Sequence, residues 1–168
     1  MDRKVRKMQR GYNLIEVVVV LALISILASA FIGYVYRQVQ LERLRSSAYD
    51  LKAQLDNLRV RSFSSNNTKW GVVITRNANS YTINNRTFDD CSSQGTVNKT
   101  VELPSGISFD RDVTLFFNRM GYPENTSCGI SQERIELKDN YGRKSLICID
   151  RFGRITVLHD STTCPGGS

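Results

Sequence analysis

The distribution of apolar and polar positions divides the chain into three stretches. From Val17 to Tyr36 the sequence VVVVLALISILASAFIGYVY runs for twenty residues without a charge. At the helical rise this covers roughly 30 Å, the hydrocarbon thickness of a bilayer. Beyond Arg37 the pattern changes: Leu41, Leu44, Ala48, Leu51, Leu55 and Leu58 recur three and four residues apart, which marks one apolar face of an amphipathic helix. Glu42, Arg43, Arg45, Lys52, Asp56 and Arg59 fall between them as a mixed polar face. The spacing also fits heptads, but about two and a half repeats favour packing against a sheet over a coiled coil. One helix from Tyr12 to about Phe63 is therefore predicted, its first half spanning a membrane and its second half amphipathic.

After Ser62-Phe63-Ser64-Ser65-Asn66-Asn67 the chain turns to short runs rich in Val, Ile, Thr and aromatics. Strands are predicted at Trp70 to Thr75, Ser80 to Asn84, Thr96 to Leu103, Val113 to Asn118, Arg134 to Leu137, Lys144 to Ile149 and Arg154 to Leu158. Turns fall at Asn77-Ala78-Asn79, Asp139-Asn140-Tyr141-Gly142 and Arg151-Phe152-Gly153. Short spacings favour antiparallel pairing, and about a hundred residues suffice for one small core closed by the helix's apolar stripe. The expected fold is α+β, a long N-terminal helix packed on a small antiparallel β domain. The expected segments are 1–11, 12–36 for the membrane helix, 37–63 for its amphipathic continuation and 64–168 for the β domain.

Charge orients the membrane segment. MDRKVRKMQR carries Arg3, Lys4, Arg6, Lys7 and Arg10 against Asp2 alone, so the positive-inside bias keeps the N-terminus in the cytoplasm and sends the C-terminal bulk across. A secretory signal peptide would have a shorter apolar stretch and a small-residue cleavage site, which Tyr34-Val35-Tyr36-Arg37 does not supply. A plain single-span anchor leaves Glu16 unexplained. Charges inside membrane segments cost about 2.5 to 3.5 kcal/mol at the helix centre and less near its end, so they are retained mainly for function.

Gly11-Tyr12-Asn13-Leu14-Ile15-Glu16 followed by an apolar helix resembles the class III leader of type IV pilins and type II secretion pseudopilins, whose usual form is Gly-Phe-Thr-Leu-Ile-Glu. The resemblance implies cleavage by a prepilin peptidase between Gly11 and Tyr12, N-methylation of Tyr12, and Glu16 as the fifth residue of the mature chain. Tyr12 and Asn13 stand where Phe and Thr are commoner. In the family that glutamate is thought to pair with the N-terminal amine of a neighbouring subunit. Two charges that are each costly in lipid are then neutral together, and Glu16 would set assembly register. The bland reading is a glutamate snorkelling to the headgroups beside an ordinary anchor. Gly33 lies where major pilins commonly carry a helix-kinking proline, so it allows local bending or, equally, close helix approach.

Further strings resemble the GspH/FimT-type minor pilins and pseudopilins: Trp70-Gly71-Val72-Val73-Ile74, Leu115-Phe116-Phe117-Asn118-Arg119-Met120-Gly121, and Leu146-Ile147-Cys148-Ile149-Asp150-Arg151-Phe152-Gly153-Arg154-Ile155. They look like that branch's tryptophan strand, its F-x-x-x-G strand-turn and its closing hairpin, whereas Asn84 to Pro104 carries no recognisable pattern. A generic β-meander would also produce such strings. The resemblance implies a minor subunit that primes assembly or sits near the tip of a type IV pilus or a type II secretion pseudopilus. Its partners would be prepilin peptidase, the inner membrane, and other pilins met through the N-terminal helix.

Cys91, Cys128, Cys148 and Cys164 all fall on the exported side, which suits an oxidising periplasm. Two disulfides have three connectivities open to them, and sequence proximity alone leans to Cys91 with Cys128 and Cys148 with Cys164. Without C-x-x-C, and with His159 as the one histidine, placed in the tail as a solvated residue, no metal site is expected. Nor is any cofactor or catalytic residue, because no base stands near a reactive group and no glycine loop binds phosphate.

The net charge of +7 hints at nucleic acid. Removing the leader's five basic and one acidic residue leaves 18 Lys plus Arg against 15 Asp plus Glu, a mild excess. Arg143, Lys144, Arg151 and Arg154 still gather around the last two turns with Tyr141 and Phe152, a patch suited to phosphates and stacked bases. Some FimT-type minor pilins bind DNA through a C-terminal Gly-Arg-x-Arg motif. Gly153-Arg154-Ile155-Thr156 lacks the second arginine, so DNA uptake is the alternative function and a solvated hairpin edge the default. A second alternative is a membrane-tethered ectodomain that does not assemble. It would accommodate the sequons at Asn66, Asn85, Asn98 and Asn125, which arise readily in an asparagine-rich sequence.

Overall fold

The computed structural model describes residues 14–91, 93–161 and 163–165. It places one helix, α1 (Leu14–Ser64), ahead of nine strands. By internal contacts the chain forms two units, Met1–Gln38 and Val39–Ser168.

In the first unit every described side chain from Leu14 to Gln38 is exposed. The two serines of this stretch do not need water: Ser25 Oγ donates to the Leu21 carbonyl at 2.8 Å and Ser29 Oγ to that of Ile26 at 2.7 Å. Their hydroxyls are thus satisfied within the helix, as an apolar solvent requires. The helix is continuous through Gly33, where a β-carbon would meet nothing within 4 Å.

In the second unit the expected stripe is the centre of the core. Leu44, Ala48, Leu51, Leu55 and Leu58 are all buried to 1% exposure or less, while Leu41, at the edge of the stripe, is only half-buried. Ser47 and Ser62 prolong the buried seam. Ser47 Oγ donates to the Arg43 carbonyl at 2.8 Å, and Ser62 Oγ accepts from the Trp70 amide at 2.8 Å, tying the helix end to the first strand. The opposite face carries i,i+3 and i,i+4 pairs, Arg45 with Glu42 and Lys52 with Asp56.

The strands are β1 (Thr68–Ile74), β2 (Ser80–Thr87), β3 (Thr96–Glu102), β4 (Ile107–Phe109), β5 (Val113–Phe117), β6 (Pro123–Glu124), β7 (Glu133–Asp139), β8 (Lys144–Ile149) and β9 (Ile155–His159). They form two antiparallel sheets, one ordered β3-β2-β1-β5-β6 and the other β4-β7-β8-β9. One hydrophobic cluster unites the helical stripe with Val72, Ile74, Tyr81, Leu115 and Phe117 of the first sheet and Ile135, Leu137, Ile147 and Ile149 of the second. The predicted single β domain is therefore a two-sheet domain around one core. β4 and β6 were not predicted from the sequence, and β2 runs to Thr87 with a register shift against β3 at Ile83 and Asn84.

The first sheet is buried on its other face as well. Lys69 pairs across from Arg86, Gly71 from Phe116, and Phe116 from Glu124. All five lie opposite to the core side and all are buried. Gly71 is required there, because a β-carbon would lie 2.8 Å from the Phe116 ring. The Arg86 guanidinium stacks 4.0 Å above that same ring.

Candidate functional site

The assembly site expected from the sequence is only partly within the described residues. Gly11 and Tyr12, the expected cleavage and methylation positions, lie outside them. Glu16 is in the first turn of α1 and exposed, where the helix's partial positive N-terminal charge favours a carboxylate. No hydrogen bond or ion pair joins it to another of the described residues. It is the sole charged residue from Leu14 to Tyr36, and α1 holds an 18-residue window of mean hydropathy 2.7, long and apolar enough to cross a bilayer. A carboxylate at the head of an exposed apolar helix has two outlets: headgroup water, or a cation delivered by another chain.

The C-terminal cations are arranged differently from the sequence expectation. Arg143 and Lys144 lie at one end of β8, and Arg151 and Arg154 lie past the other, because β7, β8 and β9 form consecutive hairpins. Six residues of extended chain separate the two turns by roughly 20 Å. Three of the four cations are already ion-paired. Arg143 meets Asp139 at 2.7 Å, Lys144 meets Asp110 at 2.5 Å, and Arg154 meets Asp150 at 3.0 Å. Hydrogen bonds from Lys144 and then Lys138 hold the Asp110 carboxyl down at about 2. Burial works against ionisation of Asp150, yet the amide and guanidinium of Arg154 and the Phe152 amide keep it below the usual carboxylate range. Arg143 and Arg154 thus brace their own turns, Lys144 is held by Asp110, and the four cations do not form one patch.

His159 is not a solvated tail residue. It ends β9 half-buried, with Nδ1 2.9 Å from Ser145 Oγ and its ring edge-to-face with Tyr49 at 5.6 Å. The four cysteines are joined Cys91 to Cys128 and Cys148 to Cys164. The second bond draws the chain after Asp160 back across the outer face of β8. Beside it opens a cleft of about 670 Å³ lined by Arg111, Arg134 and Arg154 but also by Glu133 and Asp150, so it carries no single-signed field. Among the described residues, no three of His, Cys, Asp and Glu gather as metal ligands.

Two features went unread in the sequence. Arg59 leaves the polar face of α1 to donate from Nε to the Gly121 carbonyl at 3.0 Å and from Nη2 to that of Phe152 at 3.1 Å. It thereby brings together the F-x-x-x-G turn and the closing hairpin, two strings read separately. Lys69, in turn, donates to Glu124 at 2.6 Å with both side chains under 10% exposed. Strand alternation alone could have flagged Lys69 only as a solvent position.

The arrangement is that of a helix-tethered, disulfide-stapled structural domain. Residues 6–32 match the prokaryotic N-terminal methylation motif. No curated protein sequence matches the chain. Among solved structures, the minor pseudopilin EpsH from the Type 2 Secretion System of Vibrio cholerae is similar, with a TM-score of 0.53 and 13% identity over 71% of this chain and 99% of that one. At that identity the likeness is one of fold. The comparisons thus give a methylation motif confined to the N-terminal segment and a fold similar to that of a minor pseudopilin.

Proposed function

We propose that this chain is the precursor of a minor pilin or pseudopilin subunit. It is held in the inner membrane with its N-terminus cytoplasmic and its β domain periplasmic. Prepilin peptidase cuts it between Gly11 and Tyr12, the new amine is methylated, and the subunit enters a filament through its N-terminal helix. The supporting observation is Glu16, a single carboxylate at the head of an exposed apolar helix inside the matched motif. An amine on Tyr12 of one subunit and Glu16 of a neighbour would neutralise each other, so the helix loses less by leaving lipid for a helical bundle. Priming of assembly, or a place near the tip, follows from the resemblance to minor subunits.

Glu16→Ala tests the role of the carboxylate separately from cleavage. The variant is expected to be processed like the wild type but to fall several-fold in the sheared filament fraction, by immunoblot against the membrane fraction. Wild-type incorporation would refute the pairing.

A further inference from the structure

The Cys91–Cys128 disulfide sits in unlike surroundings at its two ends. The Lys69 ammonium lies 3.0 Å from Cys128 Sγ, on a side chain only 3% exposed. Arg86 lies buried under the same loops and donates to the carbonyls of Cys91, Ser93 and Asn125 at 2.9, 3.0 and 3.5 Å. Glu124 draws on the Lys69 ammonium, and its field also reaches Arg86, which offsets it. Cys91, by contrast, directly follows Asp89 and Asp90, and its Sγ faces the Asp89 carbonyl oxygen at 3.8 Å. An ammonium thus contacts the Cys128 sulfur directly, whereas the Cys91 sulfur faces a backbone carbonyl oxygen and Arg86 reaches only the Cys91 carbonyl.

Thiol–disulfide exchange is sensitive to that difference. The displaced sulfur departs as a thiolate, and it departs faster the lower its pKa. A neighbouring ammonium lowers a thiol's pKa and neighbouring carboxylates raise it. We propose that Cys91 is a modification site for a low-molecular-weight thiol. The incoming thiolate attacks Cys91 Sγ and forms a new S–S bond there. The Cys91–Cys128 bond breaks, and its electron pair leaves with Cys128 as a thiolate held by Lys69. One disulfide is exchanged for another and no outside oxidant or reductant is consumed. Both cysteines are half-buried in loops with exposed neighbours, so the direction of exchange is set by the ammonium at Cys128 and not by access.

The test uses the full chain in detergent, exposed briefly to limiting 2-mercaptoethanol, acid-quenched, alkylated and mapped as peptides without reduction. The expected product carries the mercaptoethanol adduct on Cys91 and an alkylated Cys128, in about threefold or greater excess over the reverse arrangement. Lys69→Met is expected to bring the two toward parity. An even split in the wild type, or an excess of adduct on Cys128, overturns the proposal. Because Lys69→Met strips a buried carboxylate of its partner, a second readout uses the wild type alone. In the reduced protein Cys128 is expected to reach half-maximal alkylation rate at a lower pH than Cys91, and an equal or higher midpoint also overturns the proposal.

Discussion

Arg59 and the two turns it joins leave no room for a β-carbon at Gly153. Its φ is +75°, and a β-carbon there would lie 2.2 Å from the Gly121 carbonyl oxygen. Gly153→Ala is accordingly expected to destabilise the β domain by about 1–3 kcal/mol, read as a lower urea midpoint with an unchanged slope. A wild-type midpoint would mean that the turns can separate freely. Asp110 makes a different prediction. Its carboxyl is lowered from 3.8 to about 2 by Lys144 and Lys138, so the folded state binds its proton less readily than the unfolded chain does. Its contribution is therefore full above about pH 4 and is lost as pH falls toward 2. Asp110→Asn is expected to lower the wild-type Tm at pH 6 and to shrink the drop in Tm between pH 4 and pH 2, both measurable by circular dichroism.

At the scale of elements, α1 has two halves that respond to different changes. Leu55 is fully buried in the core cluster and Leu41 only half so. Leu55→Ala should cost about 2–5 kcal/mol and Leu41→Ala distinctly less, compared by chemical denaturation. Gly33 has open space about it, so Gly33→Ala is expected to leave the β domain's melting unchanged. If glycine serves close helix approach, the same variant lowers filament recovery; recovery equal to wild type would assign Gly33 no packing role. The stripe was legible because leucines at alternating three- and four-residue spacing have no other economical explanation. Long strands such as β8 were legible from their apolar runs. β4 and β6, three and two residues long, carry too few positions for any period to show. Lys69 and Arg86 went unread for a physical reason: alternation assigns polar residues to water, and nothing local reveals that loops on either side of Cys91 and Cys128 cover the sheet's second face. The C-terminal cations looked like a patch because a hairpin brings residues close in sequence while sending its two turns to opposite ends of a strand.

At the scale of the whole molecule, the β domain is preceded in the chain by an apolar helix segment whose described side chains are exposed. From Val17 to Val35 the large apolar side chains are exposed by roughly half or more, a condition water does not tolerate and a bilayer or a bundle of like helices does. The methylation motif over residues 6–32 spans the junction between the basic segment and that helix, which makes removal of the first eleven residues the central claim. The most direct measurement is intact mass with N-terminal sequencing of the membrane-extracted protein, made with and without a prepilin peptidase. The account predicts a product beginning at Tyr12 and carrying one added methyl only when the peptidase is present. A chain still beginning at Met1 under both conditions would contradict it and leave a simple tethered ectodomain.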